Sequence, residues 1–114
     1  GTLPNTNGVG IGAEADATVS GNVVEDARDV GISLGWGRYA RALSATGNLV
    51  RNAPKGIVFS MAEGADVVLI ANNRIVGAQT AILGSDHGEA RTGDLSLPGA
   101  ALPSGVQIGG NLVN

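Results

Sequence analysis

One motif recurs along this chain: a small residue, then Asn, then an aliphatic residue two positions on. It reads Gly21-Asn22-Val23-Val24, Gly47-Asn48-Leu49-Val50, Asn72-Asn73-Arg74-Ile75 and Gly110-Asn111-Leu112-Val113, with the Asn residues 26, 25 and 38 positions apart. The residues three and five before each Asn are apolar: Ala17 and Val19, Leu43 and Ala45, Val68 and Ile70, Val106 and Ile108. Pairs two apart carry the period of a β-strand, and no stretch sustains an apolar 3.6 period for three turns. The 19 glycines among 114 residues break helices every few positions. A period near 25 made of three short strands predicts an all-β fold: a right-handed parallel β-helix, a solenoid of about four coils. It is read as one domain, or a fragment of a longer one, over residues 1–114.

The Asn has a mechanical reason to recur. A tight corner between strands needs a residue that tolerates a left-handed backbone, and Asn does. Its amide carries donors and an acceptor, so stacked copies can bond to one another and to the backbone of the next coil. Asn22, Asn48, Asn73 and Asn111 are therefore predicted to form an inward ladder. A second column aligns Gly8-Val9-Gly10-Ile11 with Gly31-Ile32-Ser33-Leu34, Gly56-Ile57-Val58-Phe59 and Ala81-Ile82-Leu83-Gly84. That alignment puts Gly10, Ser33, Val58 and Leu83 on the outside. The expected core is Val9, Ile11, Val19, Val24, Ile32, Leu34, Val50, Ile57, Phe59, Ile70, Ile75, Ile82, Ile108 and Val113.

Composition removes several function classes. With no Cys there is neither a disulfide framework nor a thiolate zinc site. A net charge of −3 without a basic cluster argues against nucleic acid as a partner. The longest apolar run, Val67 to Ala71, is far too short to span a bilayer, so no membrane span is expected. Gly8-Val9-Gly10-Ile11-Gly12-Ala13 fits a dinucleotide fingerprint, but Glu14 to Ser20 leaves no room for the phosphate-binding helix. No cofactor is called for.

The corners are unequal. Ile32 to Leu43 and Ile57 to Val68 each advance 11 positions, whereas Ile82 to Val106 advances 24. The last corner thus carries a loop insert, 85–104, and insertions in solenoids collect on one face that is often the binding face. Counting along the corners places Trp36, Met61 and Asp86 as axial neighbours and pairs Arg38 with Glu63. Uncapped coils would expose unpaired strand edges at both ends, so end-to-end self-association is an expectation.

The segments Gly31 to Gly37, Ala45-Thr46-Gly47-Asn48 and Gly84-Ser85-Asp86-His87 resemble the C-terminal coils of the bacterial twin-arginine-exported repeat proteins. Those belong to the right-handed parallel β-helix superfamily. The resemblance spans about residues 20 to 114 and implies a periplasmic or extracellular location. It implies no activity. The wider superfamily includes pectate lyases, polygalacturonases and mannuronan epimerases, a likeness of fold alone.

Two functional readings use the corner face. As a glycan-binding surface, Trp36 and Tyr39 stack on sugar faces, with Arg41, Asp86 and His87 contacting polar groups. As a polysaccharide lyase or C5-epimerase on an acidic glycan, His87 is the candidate base, Arg38 or Arg41 the carboxylate clamp, and Tyr39 the acid. Asp86-His87 resembles only faintly the Asp-Pro-His-Asp motif of the epimerases, and the apolar Val58 and Leu83 speak against a catalytic groove. Asp86, His87 and Glu89 are the one candidate metal trio, read as solvated groups on a surface loop. The preferred reading is a non-catalytic exported module that binds carbohydrate or acts as a surface scaffold. A self-assembling structural solenoid is the third reading.

Overall fold

The computed structural model describes residues 9–13, 15–35, 41–61, 67–86 and 89–114. Among these residues there are thirteen strands and no helix. The first turn of chain holds β1 (Val9–Ala13), β2 (Ala15–Ser20) and β3 (Val23–Glu25). The second holds β4 (Val30–Leu34), β5 (Arg41–Thr46) and β6 (Leu49–Arg51), and the third β7 (Lys55–Ser60), β8 (Val68–Ala71) and β9 (Arg74–Val76). The fourth holds β10 (Thr80–Asp86), β11 (Glu89–Ala90), β12 (Val106–Gly109) and β13 (Leu112–Val113).

Each turn gives one strand to each of three sheets. The first sheet runs β1-β4-β7-β10-β11, the second β2-β5-β8-β12 and the third β3-β6-β9-β13. Every neighbouring pair is parallel except β10 and β11. The three sheets stay separate and do not close. The architecture is thus all-β with parallel sheets, compatible with a solenoid. No helix among the described residues is long and apolar enough to cross a membrane.

Parallel pairing stacks like on like. Ile11, Ile32, Ile57 and Ile82 form one column. Ala17, Leu43, Val68 and Val106 form another, and Val24, Val50, Ile75 and Val113 a third. The three columns meet in the middle, where Ile32, Ile57, Ile82, Val50 and Ile75 are wholly buried. Each such side chain contributes about 1.5–3 kcal/mol. Three core expectations need correction. Val113 is exposed and Ile108 half-buried, since both lie on the last strands of their sheets. Val9 packs on a separate outer cluster with Val30, Val58 and Leu83. Leu43, Val68, Val106 and Leu95 belong to the core in addition.

The first coil is also shifted by two from the expected alignment. Ile11 pairs with Ile32 and Gly12 with Ser33, so the outward row is Gly12, Ser33, Val58 and Leu83. Ile11 stays on the inner face, whereas Val9 packs outside and a Cβ on Gly10 would point at Val24 in the core, so the Gly-x-Gly-x sequence alone does not show this register. The glycine column makes the choice. A Cβ on Gly10 would lie 2.8 Å from the carbonyl oxygen of Gly31, one on Gly31 2.7 Å from that of Gly56, and one on Gly56 2.6 Å from that of Ala81. Three successive levels thus require glycine beneath the next carbonyl, and the column ends at Ala81.

The four motif Asn residues bond into a continuous chain. The backbone N–H and an Nδ2–H of Asn22 donate to Asn48 Oδ1, at 3.0 and 3.2 Å. Asn48 donates in the same way to Asn73 Oδ1, both at 2.9 Å, and Asn73 to Asn111 Oδ1, both at 2.9 Å. The other amide hydrogen points back one coil, from Asn48 to Val19 O, from Asn73 to Ala45 O and from Asn111 to Ile70 O, at 2.9–3.0 Å. The left-handed residue of this corner is not the ladder Asn. It is the residue before it: Gly21, Gly47, Asn72 and Gly110, with φ of 58–68°. That explains the small residue in the motif, since glycine takes this conformation without a steric cost.

Removing an inner rung strands buried partners. Asn48→Ala leaves Asn22 and Val19 without their bonds at a site 2% exposed, and is expected to cost about 3 kcal/mol, at about 1–3 kcal/mol per stranded group. Asn22→Ala, at a half-buried end rung, is expected to cost about 1 kcal/mol or less. Urea unfolding of both variants checks this, and equal losses would contradict the ladder.

Candidate functional site

The candidate face is the corner that joins the first sheet to the second. Its register is set by Ser60 opposite Ser85 and by the Met61 N–H donating to Ser85 O at 2.6 Å. Met61 therefore stands beside Asp86, as the corner count expects. Trp36, Arg38, Tyr39, Glu63 and His87 lie outside the described residues. Arg41 opens β5 opposite Ala15. It lies in the second turn, while Asp86 ends β10 in the fourth, so the topology sets the two on the same corner but two coils apart.

The insert begins after Asp86, because Ser85 and Asp86 are the end of β10 and not loop. Its first action is to double back. Asp86 pairs with Glu89, and Ser85 with Ala90, in antiparallel register. The chain then continues down the outer edge of β10. The Arg91 N–H donates to Gly84 O at 2.9 Å, and the Gly84 N–H donates to Thr92 Oγ1 at 3.0 Å. The Leu95 N–H donates to Ile82 O at 2.8 Å, and the Leu95 side chain is buried in the core.

Asp94 is the pivot of this arrangement, and sequence reasoning missed it. Its carboxylate accepts from the N–H of Ala81 at 2.9 Å and of Ile82 at 3.2 Å. It also accepts from the Ser96 N–H at 2.9 Å and the Ser96 hydroxyl at 2.7 Å. Burial by itself pushes the Asp94 carboxyl up. The bonds from Ala81, Ser96 and Ile82 outweigh that and hold it below the ordinary carboxylate value. The Asp94-Leu95-Ser96 sequence carries the signal of an Asx turn. The bonds to β10 are 12 and 13 residues away and leave no local trace.

The edge expected to be open is therefore occupied. In the first sheet, β11, Thr92 and Asp94 take up the groups that β10 presents outward. Asp86 carries an ion pair to Arg91 at 3.0 Å, exposed enough to be worth about 1 kcal/mol or less. Beside it the insert opens into a hollow of about 530 Å³ lined by Arg91, Thr92, Asp94, Leu97 and Pro98 among others. The outward row Gly12, Ser33, Val58 and Leu83 holds no titratable group, and its Val58 and Leu83 are buried; Lys55, at the start of β7, is paired with Asp29 at 3.4 Å. Among the described residues no group of three His, Cys, Asp or Glu is placed to hold a metal ion.

Comparison of the chain with protein-family models, with curated proteins and with solved structures gives no match.

A carboxyl held low stabilises the fold fully above the unfolded-state value, about 3.9, and loses that contribution as pH falls through the folded value. The melting temperature of the protein is expected to exceed that of Asp94→Asn at pH 6, with the gap closing toward pH 2.5. Thermal scans across that range measure it, and a gap independent of pH would contradict the role given to Asp94.

Proposed function

We propose that the chain is a right-handed parallel β-helix of four coils, serving as a non-catalytic exported module that holds carbohydrate on the corner face of a rigid scaffold. The hand follows from the rule that parallel crossovers within one sheet are right-handed in about 98% of cases. Export to the periplasm or beyond rests on the resemblance to the twin-arginine-exported repeat proteins. The observation that carries the binding reading is the hollow on the insert beside the Asp86–Arg91 pair. It sets a guanidinium, a hydroxyl and a carboxylate beside the apolar Leu97 and Pro98. Sugars present that same mixture of polar edge and apolar face. Asp94, the better-placed carboxylate, is tied to four donors that hold the insert in place, which suits a fixed binding surface better than proton transfer.

Titration of the 15N-labelled protein with acidic and neutral polysaccharides, with NMR of both protein and sugar, tests the proposal. The expected result is saturable shifts at Asp86, at residues 91–98 and at the Trp36 and Tyr39 corner, with the sugar chemically unchanged. Unsaturated or epimerised sugar signals that disappear in His87→Ala would replace this reading with a lyase or epimerase. No shift with any glycan would refute it.

A further inference from the structure

We infer that the glycan held on the insert is N-acetylated, and that Arg91 recognises its acetamido group through the carbonyl oxygen. The inference rests on the carbohydrate reading of the hollow and names the class of sugar that fits it. The hollow, about 530 Å³, falls within the range of about 300–1,000 Å³ usual for small-molecule sites.

Most of the polar side chains that line it are already committed. Asp94 accepts from four donors, the N–H groups of Ala81, Ile82 and Ser96 and the Ser96 hydroxyl. That is the full capacity of a carboxylate, about four lone-pair sites. The Thr92 hydroxyl accepts from the Gly84 N–H and gives its own hydrogen to Gly93 O at 2.7 Å, so it has none left for a ligand. Arg91 differs. A guanidinium carries several N–H donors in a planar fork and accepts nothing. Among the described residues Arg91 gives an N–H to Asp86 alone, and its side chain is 56% exposed. What these side chains offer a ligand is therefore chiefly N–H donors, and the group that fits brings an acceptor oxygen.

Charge decides which oxygen. The one guanidinium stands beside two carboxylates, Asp86 and Asp94, and Glu89 faces Asp86 across the β10–β11 pair. Asp94, held below the ordinary carboxylate value, is ionised at neutral pH. The carboxylate of a uronic acid would enter a surround that is already net negative, and like charges repel. A neutral carbonyl oxygen meets Arg91 without that repulsion.

The rest of the wall is apolar. Leu97 is 61% exposed, and Pro98 and Ala101 are exposed beside it in the same lining. Exposed apolar surface in one hollow with an arginine suits a group that carries a methyl next to its acceptor. An acetamido group does so, with both on one carbon. A plain hydroxyl brings no methyl, a free amine no acceptor oxygen, and a uronate a charge.

Chitotetraose, its de-N-acetylated form and cellotetraose share one backbone and differ only in one substituent: acetamido, ammonium or hydroxyl. Each is titrated against the 15N-labelled full chain, with tetragalacturonate as the fourth probe. The expected result is saturable shifts at residues 91–98 with chitotetraose, and binding at least about tenfold weaker with each of the others, the size of one hydrogen bond to a charged group. Arg91→Met keeps the stem of the side chain and removes its donors. In that variant chitotetraose binding is expected to fall to the level of cellotetraose or below, with the melting temperature little changed because the Asp86 pair is exposed. Anything short of the tenfold preference, or a preference that survives in Arg91→Met, overturns the inference and leaves the carbohydrate reading standing. Silence of all four probes while another glycan shifts residues 91–98 does the same. If no glycan shifts them, the carbohydrate reading falls and the inference with it.

Discussion

A primary amide buried between coils has to place two donors and an acceptor at once, and in this fold the copies of itself one level up and down, with a strand carbonyl one coil back, satisfy it. Asn48 meets the requirement with its Oδ1 on the fork below, one hydrogen on Asn73 above and one on Val19 behind. The rest of the stack depends on that geometry. It fixes which strand lies over which, because a coil shifted by one residue would leave a buried amide with no partner, at a cost of about 1–3 kcal/mol per group. The apolar columns supply most of the stabilisation, but aliphatic side chains alone tolerate slippage. The amides supply the register.

The same logic makes the stack directional. Each rung turns its paired backbone and amide donors toward the next coil, its Oδ1 toward the coil before, and its other amide hydrogen back to a strand carbonyl. In the first sheet the insert turns back and closes the edge, with Asp94 fixed on Ala81 and Ile82 and Leu95 inserted into the core. In the second and third sheets β12 and β13 are the last of the described strands, and Asn111 is the last described rung. The insert is thus both a surface feature beside the Asp86–Arg91 pair and the cover on the outer edge of β10.

Much of this fold was legible in the sequence, and the failures share a cause. The Asn spacing located the ladder residues, and the apolar pairs before them located the second sheet, because both patterns repeat within a single strand or corner. The sequence suggests the Asn for the left-handed position, which belongs instead to the residue before it. A Gly-Asn pair offers two candidates, and only the inward bonding of the Asn excludes one. The first coil was misaligned by two because Val9 to Gly12 alternates with glycine and carries no size signal. The insert was recognised by its length, yet its closing role rests on contacts between Asp94 and β10 that no local pattern announces. Trp36, Arg38, Tyr39 and His87 stood out as the chain's few aromatic and basic side chains near the corner. Composition picks out such residues but says nothing of their geometry.

The central claim is that the Asn ladder is the structural spine that holds the coils in register. Native-state amide hydrogen exchange, followed residue by residue, tests it most directly. The account predicts that the backbone amides of Asn48 and Asn73, though they lie in corners, exchange as slowly as those of the core strands β7 and β8. If Asn48 and Asn73 exchange at the rate of exposed turns, the ladder is not what holds the coils in register.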